Sequence, residues 1–200
     1  MSQFTANFII IADSDDFLQA LELTPEQSKE MKQLFAKCME TMEGLQDAYV
    51  TTLKQAKRDP TEFFFDISNK KCGEYNLAMA RILNVQQKKR LLELRCQILG
   101  PSYAFNEVTA PLTGITEEQQ KSSLQFSMSV HQQHAALFRK MNDSPESMYV
   151  VMELRSKKLL EEFFTEEQRK NWDKMLGKKL PDDVLKRLKL VYYERKRHLF

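Results

Sequence analysis

Two hundred residues, 42% apolar and 29% charged, suffice for one large domain or two small ones with a true core, and exclude an intrinsically disordered chain. Only five glycines and six prolines interrupt them, which disfavours a many-turned β architecture and favours helices. The net charge of +2 is uneven: Arg169 to Phe200 holds eleven Lys/Arg against four Asp/Glu, which is +7 and leaves −5 for the preceding 168 residues.

In chain order, "FIIIA" at 8–12 is too short to span a membrane and lacks the basic flank of a signal peptide. Residues 1–14 are expected as an N-terminal arm. After Thr24, the residues Met31, Phe35, Cys38, Met42, Leu45, Tyr49 and Ala56 recur at three- and four-residue steps, with one gap near Thr52. That spacing predicts an amphipathic helix from Pro25 to about Arg58, about 50 Å long. "DPTEFFFDI" opens a second helix with Phe64, Ile67, Tyr75, Met79 and Ile82 on one side. Asn84 opens a third, carrying Leu91, Leu94, Ile98 and Leu99. These make a first helical-hairpin unit over 15–99. The Pro/Gly-rich stretch 100–114 is expected to be a linker.

The plan then repeats over 115–178. A helix from Thr116 is expected to turn Leu124, Met128, His131, Ala135, Phe138 and Met141 inward. Others follow through Met148, Met152 and Leu159 and through Trp172 and Met175. A basic amphipathic helix, 179–200, finishes the chain with Leu185, Leu188, Tyr192 and Leu199 on its apolar side. The expected fold is therefore all-α: two elongated helical-hairpin units in tandem.

One motif punctuates this plan: "LTPEQ", "LNVQQ", "ITEEQ" and "FTEEQ". Thr24, Asn84, Thr116 or Thr165 at a helix N-cap can accept a bond from a free backbone N–H. Gln27, Gln87, Gln119 or Gln168, three residues on, can bond back to the N-cap N–H and complete a capping box. Pro25 suits the first helical position, and the glutamates of each first turn suit the helix dipole. The expected role of these eight residues is structural.

Repeated L-T-x-x-Q motifs separated by long helices resemble the Spy/CpxP family of exported bacterial helical proteins, over roughly Asp15 to Lys178. The stretch "RLLELRCQILGPSYAFNEVTAPLTGITEEQ" is also similar to longer exported proteins of planctomycete type. The resemblance implies cradle-shaped helical hairpins in the periplasm, acting as ATP-independent chaperones or envelope-stress regulators that bind unfolded or partner proteins. It also implies a homodimer, or an intrachain pseudo-dimer of the two units. Relatives of this topology sense or buffer metals. Family cradles are often strongly basic, whereas residues 1–168 here are net negative.

Ten methionines and thirteen phenylalanines fit a client-binding face, for which Met39, Met42, Phe63, Phe64 and Phe65 are the candidates beside a role in the core. "MSVHQQH" spaces Met128, His131 and His134 at i, i+3 and i+6, so that neighbours can share a helix side, a candidate set for copper, nickel or zinc. Cys38, Cys72 and Cys96 form no C-x-x-C; they are expected as small buried residues, with pairing of two as the alternative. No phosphate loop, H-E-x-x-H or G-x-S-x-G is present, so no enzyme and no cofactor is expected. The C-terminal helix, with Tyr192 and Tyr193 among basic residues, is expected to dock on the bundle; a nucleic acid or a membrane surface is its alternative partner.

Overall fold

The computed structural model describes residues 8–55, 61–139 and 144–199. Among the described residues every regular element is helical and no strand occurs. The chain is all-α. No helix of the described residues is long and apolar enough to cross a membrane.

The helices, in order, are α1 (Asp15–Ala20), α2 (Pro25–Gln55), α3 (Thr61–Ile82), α4 (Val85–Leu99), α5 (Ala110–Thr113), α6 (Glu117–Gln133), α7 (Ala135–Arg139), α8 (Pro145–Lys158), α9 (Glu166–Met175) and α10 (Asp182–Leu199). Tighter 3-10 turns cover Phe8–Ile11 and Gly100–Phe105, and α8 runs on into a π-helical turn, Leu159–Phe163. The described residues divide into two compact units, an N-terminal one of 8–88 with 195–199 and a C-terminal one of 89–194. The division falls inside α4 rather than at 100–114.

In the N-terminal unit α3 runs back along α2. Gln27 meets Ile82 and Gln87, Lys37 and Thr41 meet Tyr75, and Met42 meets Cys72, so residue numbers rise on one helix as they fall on the other. Met31, Cys38, Met42, Cys72 and Met79 are buried between them, as the α2 stripe predicts. Residues 1–7 of the expected N-terminal arm lie outside the described residues, and its described end is packed into the core. Ile10, Ile11 and Ala12 have no exposed surface, and the turn that carries them packs on both α2 and α3. Arg195 ties that turn down, donating to the Ile10 carbonyl at 2.8 Å and pairing with Asp13 while its guanidinium covers the Phe35 ring.

In the C-terminal unit α8 lies against α6, with Arg155 bonded to Ser127 at 2.6 Å and the Phe126 and Phe163 rings 4.9 Å apart. The expected linker 100–114 is also core: Gly100, Pro101, Tyr103, Ala104, Thr109, Ala110 and Thr113 are all buried. Its hydroxyls explain how so polar a stretch is accommodated. Thr113 donates to the carbonyls of Thr109 and Ala110, and Thr109 to that of Tyr103, so both buried threonines of this stretch have partners. Gly100, at φ +67°, makes the turn out of α4 and lies so near Ser156 that a Cβ would come within 2.7 Å of its hydroxyl. Both the punctuation and the polarity of this stretch serve a tight turn.

Candidate functional site

All four motifs form the expected capping boxes. The Gln27 N–H donates to Thr24 Oγ1 at 3.2 Å and the Thr24 N–H to Gln27 Oε1 at 3.1 Å. Asn84 and Gln87 make the same two bonds at 3.0 and 2.9 Å, and Thr116 with Gln119 both at 3.1 Å. Thr165 and Gln168 complete the set at 3.0 and 3.2 Å. Each box stabilises its helix by about 1 kcal/mol.

The boxes are also joined in pairs. Gln27 Nε2 donates to Gln87 Oε1 at 3.0 Å, and Gln87 Nε2 returns a bond to Gln27 Oε1 at 2.9 Å. In the C-terminal unit Gln119 and Gln168 exchange bonds of 3.0 and 2.6 Å. The second amide proton of each glutamine goes to a backbone carbonyl just before the partner motif. Gln27 donates to Ile82, Gln87 to Glu22, Gln119 to Phe163 and Gln168 to Gly114. Each amide therefore donates twice and accepts twice, which saturates a group of low exposure. Glutamate could close a capping box equally well but could not donate. That is a physical reason for glutamine at all four positions.

The paired glutamines also fix which side of each following helix is inside. At about 100° per residue, positions four, seven and eleven after the glutamine share its side. On α4 these are Leu91, Leu94 and Ile98, all buried; on α2 they are Met31, Leu34 and Cys38, of which the first and last are buried and Leu34 half-buried. On α9 Trp172 is buried and Met175 half-buried. On α6 they are Ser123, Phe126 and Val130, half-buried or buried.

That phase overturns the expected α6 stripe. Leu124 and Met128 lie about 140° and 180° from Gln119, and they are 70% and 56% exposed. His131 is exposed too. The side chains of Ala135 and Phe138, and Met141 altogether, lie outside the described residues. Apolar content alone suggests the wrong face, because Ser122, Ser123 and Ser127 occupy the inner side. Each of those hydroxyls donates to a carbonyl one turn earlier and so needs no water.

Of the expected client-binding residues, Met42 is 3% exposed with its sulfur 3.8 Å from that of Cys72, so it belongs to the core. Met39 is half-buried, and the side chains of Phe63, Phe64 and Phe65 lie outside the described residues. Of the expected metal set, Met128 and His131 stand on α6. His134 ends that helix at φ −121°, ψ 32°, so the three do not share one helical side. No group of three His, Cys, Asp or Glu residues is arranged to hold a metal ion among the described residues.

Cys38, Cys72 and Cys96 are free and buried. The facing Cys72 thiol and burial push the Cys38 thiol far above the ordinary thiol range. Burial pushes the Cys96 thiol up to about 12. The two rings considered for base stacking, Tyr192 and Tyr193, are each 3% exposed and meet edge to face at 5.7 Å. Leu188, on the same helix, is fully buried.

The Gln–Gln exchange is the feature that sequence reasoning misses. Its only sequence signal is the recurrence of two motifs per unit, 60 residues apart in one and 49 in the other. Set beside known family models, characterised proteins and solved structures, the chain matches none of them.

Proposed function

We propose that this chain is a non-catalytic, ATP-independent protein-binding chaperone of the bacterial envelope, built from two diverged copies of a glutamine-paired helical unit. The four motifs and their likeness to Spy/CpxP proteins support the class and the compartment. The recurrence of one reciprocal glutamine pair in each unit supports the duplication.

The observation that carries the binding role is the reversed face of α6. Leu124 and Met128, one turn apart, stand 70% and 56% exposed, although Val130 on the same helix is fully sheltered. Adjacent large apolar side chains in water serve a partner more readily than they serve the fold. Methionine, flexible and polarizable, adapts to partners of varied shape. This ridge replaces Met42 in the binding face.

The test is suppression of aggregation of a chemically denatured client by near-stoichiometric protein without ATP. Wild type is expected to suppress light scattering, and the Leu124→Ser/Met128→Ser variant to lose that effect with unchanged far-UV circular dichroism and thermal midpoint. Absence of suppression by wild type sinks the chaperone reading. Full suppression by the variant moves the binding face elsewhere.

A further inference from the structure

Three sulfur atoms meet in the middle of the N-terminal unit. Cys38 and Met42 stand at i and i+4 on α2, side by side on one face. Cys72 faces them from α3, its thiol donating to Met42 Sδ at 3.8 Å. Cys38 and Cys72 have no exposed surface and Met42 only 3%. Near them is a group with nothing to bind. Ser68, one turn before Cys72 on α3, is wholly buried, and its hydroxyl has no hydrogen-bond partner. An orphaned buried hydroxyl carries a desolvation cost of about 1–3 kcal/mol unless an acceptor appears beside it.

We propose that Cys38, Met42 and Cys72 form a trigonal, all-sulfur site for a soft monovalent d10 ion, Cu(I) in a biological setting. The Cys72–Met42 spacing suits such an ion: two sulfurs 3.8 Å apart can each lie about 2.2 Å from a trigonal centre, close to the ~2.3 Å of a metal–thiolate bond. Thiolate and thioether donors select Cu(I) over harder ions. Zinc would require a fourth donor, and no imidazole or carboxylate joins the two cysteines among the described residues. Each thiolate that forms releases one proton to solvent. Both cysteines ligate as thiolates, so the loaded centre carries one net negative charge, offset in part by the Ser68 hydroxyl donating to it. Ser68 then gains its missing acceptor, the metal-bound sulfur of Cys72 one turn away. Core packing alone accounts for three buried sulfurs, but not for the unpartnered hydroxyl beside them.

The experiment is anaerobic titration of the reduced full-length chain with Cu(I) buffered by bicinchoninate, and with Ag(I) as a redox-inert probe. The proposal expects one ion per chain, a thiolate-to-metal ultraviolet band, and a rise in thermal midpoint on loading. Met42→Leu keeps the core volume and should fold; it should weaken affinity roughly tenfold or more, as losing a metal contact does. Ser68→Ala should cause a smaller loss, and Cys72→Ser should abolish competition with the chelator. Retention of full affinity by Met42→Leu would falsify the three-sulfur site. Binding that survives Cys72→Ser, no binding at one equivalent by wild type, or conversion of Cys38 and Cys72 to a disulfide without retained metal would each overturn it as well.

Discussion

Helices α2 and α6 begin with the same Thr-x-x-Gln device, yet they relate their apolar residues to the core in opposite ways. On α2 the sulfur-bearing residues Met31, Cys38 and Met42 follow the side of Gln27 and are buried. On α6 the side of Gln119 is taken by serines, Phe126 and Val130, while Leu124 and Met128 face water. The capping box sets where a helix starts; the glutamine pair sets which side is inside. Hydrophobicity decides neither on its own, because a serine that bonds its own helix is nearly as easy to bury as an alanine.

Removing the same side chain from both helices tests this contrast most strongly. Met42→Ala should cost about 3 kcal/mol, through lost burial and the cavity left behind. Met128→Ala, on the exposed face, should cost less than about 0.5 kcal/mol. Urea unfolding of the two variants reads the difference directly, and equal losses would break the comparison.

Gln168→Glu separates the pair from the cap. Glutamate satisfies a capping box, so a purely capping role predicts almost no change. The pairing role predicts a loss of about 2 kcal/mol at pH 7, because the Gly114 carbonyl and Gln119 Oε1 lose their donor and a carboxylate is confined beside them. A carboxyl so placed has a raised folded-state pKa. Its neutral form is the one that folds well, so stability is restored as pH falls below the ordinary carboxylate range and lost again as pH rises. Gln87→Glu should behave alike in the N-terminal unit.

Thr24→Ala and Thr116→Ala should each cost about 1 kcal/mol. Their equality across the two units would show that the caps themselves are equivalent. The smallest effect on stability belongs to Leu124→Ser, within about 0.5 kcal/mol of wild type, although it should measurably weaken client binding.

The helix starts are legible in the sequence because a capping box is local: four residues state it in full. The α2 and α4 stripes are legible because apolar residues and the glutamine phase agree. On α6 they disagree, and the phase prevails. Residues 100–114 and the first turn at Phe8–Ile11 mislead for another reason. Proline and glycine mark a change of direction without saying whether the turn is buried, and four apolar residues near a chain end look like an arm until α2 and α3 close over them. The convergence of Cys38, Met42 and Cys72 is half legible, since Cys38 and Met42 share a helical face. Their partner on α3 depends on the register of α3 against α2, and that register is a long-range quantity.

The glutamine pairs also separate register from reach. One pair joins residues 60 apart in sequence and the other residues 49 apart, yet the bonding at the two pairs is the same. The difference of eleven residues is about three helical turns, taken up wholly on the side of the pair where the chain doubles back. Length is thus a free parameter of each unit. Adding about two turns to each arm, roughly seven residues apiece, leaves every residue near the pair in phase. A unit anchored in this way can change how far it extends without renegotiating how it is held.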